Sequence, residues 1–182
     1  MKYFFLFLQL CILSCGIYSL AGSIPPHIKS IAIPLMENQT SDFSLSENLT
    51  DEVIGKFNES GVLSIKDEKI AHSILSGTIK KITDGPYSYN KNESVSEYRY
   101  KVDVRIAWYD RIIEKNIIEK NYSGFGAYGL SGDISTDGID NDNDGKIDGD
   151  DDDEFGEPRS YAAKVAISKI AEDILNDIMT TW

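Results

Sequence analysis

The sequence has few of the residues on which redox and disulfide chemistry depend. Among 182 residues there are two cysteines, Cys11 and Cys15, and both lie inside or at the edge of the first apolar segment. If that segment is removed up to Cys15, the remaining chain holds one cysteine and folds without a disulfide. The alternative for these two residues is a disulfide between Cys11 and Cys15.

Motifs of enzymes are also missing. There is no G-x-S-x-G, no H-E-x-x-H and no P-loop, and the two histidines, His27 and His72, each stand alone, which favours surface or loop positions. Paired catalytic carboxylates need a concave apolar site that shifts their pKa values, and an exposed run of aspartates does not supply one. We therefore do not expect an enzyme.

Acidic residues outnumber basic residues, but nearly all of the excess lies in one segment. The chain has 18 Lys and Arg against 30 Asp and Glu, a net charge of −12. Residues 133–157 hold 12 of the acidic residues and one basic residue, Lys146, which leaves 18 acidic and 17 basic residues elsewhere. Without a basic stripe, nucleic acid is not an expected partner. A cation is the expected partner of the acidic segment, and the alternative is a solvated, disordered loop.

The N-terminus predicts export. "MKYFFLFLQLCILSC" has one lysine, an apolar stretch and small residues, which indicates a signal peptide over residues 1–14 rather than a membrane span. "ILSC" resembles the bacterial lipobox, which implies cleavage before Cys15 and acylation of its thiol and new amino group. Several acyl chains anchor a protein durably. Gly16 in the next position favours the outer membrane, and residues 15–182 are expected to form a single domain.

The elements predict an α+β fold. "HIKSIAIPLM" predicts a strand, and "SLSENLTDEVIGKFNESG" predicts a helix with Ser44 and Glu47 in capping-box spacing and an end before Gly61. "VLSIKD" and "SILSGTIKKI" predict further strands. The apolar stripe of the helix recurs every four residues: Leu45, Leu49, Val53 and Phe57.

The second half of the chain predicts a hairpin and a closing helix. "YRYKVDVRIAWY" alternates apolar and polar residues, as in a strand with one wet face, and "NIIEKNYSGFGAY" is expected to pair with it. "RSYAAKVAISKIAEDILNDIMTTW" predicts a helix with an apolar stripe. The order β-α-β-β-β-α predicts a two-layer sandwich of two helices on a four- to five-stranded, mostly antiparallel or mixed sheet. The predicted stripe of the closing helix is Ala163, Ile167, Ile170, Ile174 and Ile178.

The segment "DNDNDGKIDGDD", residues 140–151, has the spacing of a twelve-residue calcium loop. The glycine at position 6, Gly145, allows the sharp turn, and Ile147 at position 8 is expected to pack against the domain. An aspartate at position 12 and the lack of a preceding helix make the loop more similar to dockerin or thrombospondin type 3 loops than to an EF-hand. The predicted Ca²⁺ ligands are Asp140, Asp142, Asp144, the carbonyl of Lys146, Asp148 and Asp151.

Several segments taken in order resemble the lipopolysaccharide-assembly lipoprotein family LptE. They are "CGIYSLAGSIPPHIKSIAIPLMENQT", "SENLTDEVIGKF", "ILSGTI", "KVDVRIAWYD", "YSGFGAY" and "KIAEDILNDIMTTW". The resemblance implies a non-enzymatic, lipid-anchored protein of the Gram-negative outer membrane, facing the periplasm or inside a barrel lumen. It also implies that the chain plugs a β-barrel translocon, LptD, and helps deliver lipopolysaccharide to the outer leaflet. Residues 129–156 depart from the family pattern as an acidic insertion.

Two questions of function stay open from the sequence. Arg99, Lys101 and Arg105 lie on the wet face of the long strand, where they would meet lipid phosphates or form an ordinary solvated strand face. The alternative to the translocon plug is a stand-alone outer-membrane lipoprotein with a calcium-dependent binding or adhesion role.

Overall fold

Six strands and two α-helices are present in the part of the chain that this computed structural model describes, residues 24–129, 134–136, 138–141, 144–147, 150 and 156–180. A short 3₁₀ helix, Ile134–Thr136, lies between the last strand and the last α-helix. In chain order the elements are β1 (Ser30–Ala32), β2 (Glu37–Asn38), α1 (Ser44–Ser60), β3 (Ser64–Ile65), β4 (Ser73–Tyr89), β5 (Val95–Asp110), β6 (Lys115–Tyr128) and α2 (Pro158–Thr180).

The strands form one mixed sheet. Its order is β3-β1-β4-β5-β6, and β2 also pairs with β4. The long strands β4, β5 and β6 are antiparallel neighbours, whereas β1 runs parallel to both β3 and β4. The predicted α+β class is confirmed, and so is the predicted pairing of β6 with β5. The two-residue strand β2 is an element that the sequence pattern did not predict.

The core lies between one face of the sheet and the two helices. Alternation along β5 buries every second side chain, and these side chains share one hydrophobic core with the α1 stripe. Full burial of such a side chain contributes about 1.5–3 kcal/mol each. Residues of these two elements that are at most 1% exposed include Tyr100, Val102, Val104, Ile106, Trp108, Leu45, Leu49, Val53 and Phe57.

The start of α1 differs from the prediction, whereas its end does not. The N-cap residue is Phe43, with no side-chain capping hydrogen bond, so the capping box predicted from Ser44 and Glu47 is wrong. The Ser44 hydroxyl instead donates to the Asp42 carboxylate, 2.8 Å away. At the other end, Gly61 adopts a φ of 61° and donates its N–H to the carbonyl of Phe57, which closes the helix as glycine commonly does.

The long strands give the sheet two separate ends. At the hairpin end, residues 90–94 connect β4 to β5. At the turn end, residues 111–114 connect β5 to β6, and the segment before β1 arrives there as well, because His27 contacts Asp110. Within the described ranges, no helix combines the length and apolar character that a membrane crossing requires.

Candidate functional site

The three cations predicted as lipid-phosphate contacts all lie on β5, on the side of the sheet opposite the helices. In the strand register, Arg99 lies between Gly85 and Ala127, and Lys101 lies between Thr83 and Phe125. Arg105 follows further along the same side, between Thr78 and Asn121. We call this side of β4, β5 and β6 the open face.

Two of the three cations are paired with carboxylates. Lys101 Nζ lies 2.9 Å from Asp103 Oδ1, and Arg105 donates to Glu119 of β6. Burial raises the pKa of Asp103, but hydrogen bonds from Lys101 and Ser123 outweigh that effect and leave this pKa below its usual value. Exposed pairs of this kind contribute at most about 1 kcal/mol to stability. They nevertheless offset the charge that an incoming phosphate would meet.

Arg99 is in a different environment. Its guanidinium carbon lies 3.3 Å from the ring centroid of Tyr87 and 4.0 Å from that of Phe125, so two aromatic rings hold it. No carboxylate of the described chain pairs with it, and its Nε is buried without a hydrogen-bond partner. The half-buried side chain is thus a cation that two aromatic rings hold in place, without a carboxylate partner in the described chain.

An irregularity in β4 builds this arrangement. The register between β4 and β5 shifts between Pro86 and Ser88, which leaves Tyr87 outside the regular ladder and beside Arg99. Tyr87 is 51% exposed and Phe125 is 37% exposed, so both rings also form part of the surface. The sequence identifies the arginine but not its two rings, because the predicted strand ended at Ile82, before Tyr87, and because the pairing that brings Phe125 alongside is long-range.

On the helix side of the sheet, charged and phenolic groups form a closed network. Arg159 at the start of α2 donates to Asp84 of β4 over 2.7 Å, and the Tyr128 hydroxyl donates to the same carboxylate over 2.5 Å. The Tyr100 hydroxyl donates to Asp42 over 3.1 Å. Burial first, then the neighbouring carboxylates, raises the pKa of both tyrosines well above its usual value. These groups form hydrogen bonds with one another, and the bond between Arg159 and Asp84 joins α2 to the sheet.

At the turn end, His27 Nε2 lies 2.5 Å from Asp110 Oδ2. Asp110 is fully buried, and its other oxygen accepts the backbone N–H groups of Ile112 and Ile113. Burial raises the pKa of Asp110, but the hydrogen bond from His27 and those from the backbone outweigh it, so the pKa lies below its usual value. The sequence analysis treated His27 as a lone histidine, because its partner is 83 residues away.

Three of the six predicted calcium ligands fall in the described chain. The Asp140 carboxylate accepts the backbone N–H groups of Asp144 and Gly145, both over 3.0 Å, and Gly145 has a φ of 98°. The Asp144 carboxylate accepts the Lys146 N–H over 2.8 Å, and the Lys146 ammonium lies 3.2 Å from it. At loop position 1, the Asp140 carboxylate therefore binds the N–H groups of positions 5 and 6, and Gly145 at position 6 has a positive φ, which glycine adopts readily. Asp142, Asp148 and Asp151 lie outside the described residues, as does Cys15.

The contact between the acidic segment and the domain is not the predicted one. Ile147 is 47% exposed, so the expectation that it packs against the domain is wrong. Ile139 and Asn141 are buried instead, and the Asn141 amide donates to the Ala127 carbonyl of β6 over 3.0 Å. Among the described residues, no three His, Cys, Asp or Glu side chains are grouped as a metal site.

Taken together, these features define a two-layer α+β domain with an open strand face. Residues 28–181 match the family model "LptE: Lipopolysaccharide-assembly". The chain therefore belongs to the LptE family, a family of lipoproteins of lipopolysaccharide assembly. No curated protein sequence matches it significantly.

Solved structures share the fold at low sequence identity. Protein XCC0632 from Xanthomonas campestris has a TM-score of 0.54 at 6% identity, with 87% of this chain and 91% of that chain covered. Protein CT253 from Chlamydia trachomatis has a TM-score of 0.52 at 10% identity, covering 85% and 99%. Rare lipoprotein B from Shewanella oneidensis has a TM-score of 0.46 at 12% identity, covering 82% and 95%. The first two support the fold alone.

Proposed function

We propose that this chain is a lipid-anchored outer-membrane subunit that assembles with an LptD-like β-barrel translocon and assists the transport of lipopolysaccharide to the outer leaflet. The observation that carries the proposal is the family match over residues 28–181. Acylation of Cys15 would hold the domain at the membrane, facing the periplasm or inside the barrel lumen. A two-layer sandwich without a disulfide suits a subunit that fills the lumen of a barrel.

Within this function, the open face is the proposed contact for lipopolysaccharide. Arg99 is the best-placed cation, because Tyr87 and Phe125 hold its guanidinium and no described carboxylate competes for it. A guanidinium binds a phosphate through two parallel hydrogen bonds. Lys101 and Arg105 would contribute less, because Asp103 and Glu119 already bind them.

We further propose that the acidic insertion binds Ca²⁺ through Asp140, Asp142, Asp144, the Lys146 carbonyl, Asp148 and Asp151. The turn at Asp140 and Gly145 supports this, because position 1 of such a loop already accepts the N–H groups of positions 5 and 6. Bound calcium would offset the self-repulsion of the segment and order it. The role of the bound Ca²⁺ would be structural, at the contact with the barrel.

The experiment that tests the proposed function is a pull-down of the tagged lipoprotein from native membranes in mild detergent, with and without a calcium chelator. A stoichiometric β-barrel partner supports the translocon role, and its loss with chelator links the acidic insertion to that contact. Recovery of the lipoprotein alone in both conditions contradicts the proposal and favours the stand-alone binder. Mass spectrometry of the purified chain tests acylation of Cys15 separately, since both functions require the anchor.

A further inference from the structure

Exposed isoleucines gather at the turn end of the sheet. Ile112 and Ile113 in the β5–β6 turn are 54% and 56% exposed, and Ile70 in the turn before β4 is 66% exposed. We call these three residues the isoleucine surface. Three β-branched apolar side chains exposed on two neighbouring turns form a candidate binding surface.

The two turns that carry the isoleucine surface are fastened together. The backbone N–H of Arg111 donates to the carbonyl of His72 over 3.0 Å. Its guanidinium also donates to the carbonyls of Glu68 and Ala71, over 2.7 and 3.1 Å. The surface is therefore held by the backbone and the guanidinium of Arg111 and does not depend on the side chains of the isoleucines, which can be replaced without removing these contacts.

The chain enters the domain beside this surface. Asp110 binds His27 with one carboxylate oxygen and the backbone of Ile112 and Ile113 with the other. Only eight residues separate Cys15 from Ile24, where the described chain begins. Even fully extended, that length spans about 30 Å. Acyl chains on Cys15 would therefore keep the turn end, rather than the hairpin end, near the membrane.

Basic side chains outnumber acidic ones among the exposed charged residues next to the isoleucine surface, which are Lys29 and those of segments 66–70 and 111–115. The segments around the isoleucine surface carry five basic and three acidic side chains, in a protein with a net charge of −12. Basic residues around exposed apolar side chains suit the headgroups of an anionic bilayer. The basic residues are Lys29, Lys66, Lys69, Arg111 and Lys115, and the acidic ones are Asp67, Glu68 and Glu114.

We propose that the isoleucine surface docks on the anionic lipid surface that holds the acyl chains of Cys15. The anchor alone sets only the distance of the domain from the membrane. Ile70, Ile112 and Ile113 at the headgroup level add a second contact, which fixes the orientation of the sheet with its hairpin end away from the lipid. The inference rests on the acylation of Cys15 proposed above, and it needs neither a barrel partner nor lipopolysaccharide.

The test uses the full acylated lipoprotein in vesicles of phosphatidylethanolamine and phosphatidylglycerol with brominated acyl chains, which quench tryptophan at close range. The variant Ile113→Trp places a reporter on the surface, and Ile112→Trp is a second reporter in the same turn. The matched control is Tyr89→Trp at the hairpin end, where the native side chain is 62% exposed. The parent chain gives the background, and circular dichroism confirms that each variant is folded.

We expect about a twofold loss of the introduced fluorescence for Ile113→Trp, because side chains at an interface enter about 5–10 Å into it, and no loss for Tyr89→Trp. Vesicles of phosphatidylcholine alone should reduce the loss. Equal, weak quenching at both ends, with acylation verified by mass, overturns the proposal. Acrylamide quenching of the tryptophan at position 113 gives a second outcome. If vesicles alone leave this quenching unchanged and an added membrane-protein extract reduces it, the surface binds a protein and lipid docking is wrong. Because no barrel is present, failure of the translocon proposal leaves this result unchanged.

Discussion

Gly124 of β6 lies directly against Ala166 of α2, so closely that a Cβ on Gly124 would overlap the carbonyl oxygen of Ala166. Gly126, two residues on, has the same relation to the backbone of Ala162, with a Cβ–Cα distance of 2.6 Å. At Gly124 and Gly126, therefore, the backbone of β6 itself contacts α2, because neither glycine has a side chain. This contact joins β6 to the helix layer that completes the core.

We predict that Gly124→Ala lowers the free energy of unfolding by about 2–3 kcal/mol, because the new methyl group meets backbone that cannot rotate away. The matched control is Gly85→Ala, since a Cβ there meets nothing within 4 Å, and we expect it to change stability by less than about 0.5 kcal/mol. Urea denaturation measures both. Equal stability of the two variants would contradict the close approach of α2.

We predict that stability depends on pH through Asp110. Because its pKa is lowered in the folded chain, its contribution is present above the usual value of 3.8 and is lost as the pH falls through the lower folded-state value. Asp110→Asn should cost about 1–3 kcal/mol at pH 7, since it removes a charged hydrogen-bond acceptor. The difference from the parent should begin to shrink below about pH 4, where the unfolded chain takes up a proton at this position, and should close as the pH falls through the lower folded-state pKa.

Urea denaturation at pH 7, 5 and 3 measures this difference. The control is Asp67→Asn, an exposed aspartate of the neighbouring turn whose carboxylate accepts a single local N–H, from Lys69. A difference between the parent and Asp110→Asn that stays constant from pH 7 to pH 3 would show that the buried carboxylate does not titrate as the contacts with His27 and the backbone require.

We predict that Arg99→Ala weakens binding of purified lipopolysaccharide about tenfold, the loss expected for one charge-assisted contact. Arg105→Ala removes a cation from the same face that Glu119 already binds, and we expect a change within about twofold. Arg99→Lys should behave more like the alanine variant, since an ammonium lacks the planar fork. Surface-immobilised protein and lipopolysaccharide micelles give the affinities. Equal losses for Arg99→Ala and Arg105→Ala would assign binding to general charge.

We predict that Ca²⁺ protects residues 130–156 from limited proteolysis, because the metal would order a self-repelling segment. The double variant Asp140→Asn, Asp144→Asn should lose this protection, since it removes two of the predicted ligand charges. The double variant Asp67→Asn, Glu68→Gln at the turn end also removes two negative charges, and this control for net charge should keep the protection. Identical digestion of the parent chain with calcium and with chelator would mean that the loop spacing does not make a metal site.

The elements of the fold were predictable where the signal is periodic. Alternation along β5 and the four-residue stripe of α1 depend only on which side chains avoid water, so both predictions are confirmed by burial. In α2 the stripe is confirmed except at Ala163, which is half-buried, while Ala162 and Ala166 pack on β6. The position of β1 between β3 and β4 is set by long-range pairing, which no local pattern encodes.

The candidate sites were predictable only in part, for a related reason. The identity of Arg99 as a wet-face cation follows from alternation, but its enclosure by Tyr87 depends on the strand continuing beyond the predicted end at Ile82. His27 and Asp110 meet across 83 residues, so neither looks special in its own segment. The capping box failed at Ser44 because its hydroxyl has a nearer partner in Asp42, which competes with the helix backbone.

The length of β5 has an electrical consequence. The Ala127 carbonyl accepts the Asn141 amide of the acidic segment, and Ala127 pairs with Arg99 of β5. Arg99 and Asp110 are eleven residues apart on β5, which corresponds to roughly 35 Å along the strand. Ionic screening at physiological salt acts over about 8 Å, several times less than that separation. At this separation, the charges at one end of β5 have little electrostatic effect on groups at the other end. Neutralising the described aspartates near Ala127 would therefore leave the electrostatic potential at the turn end nearly unchanged.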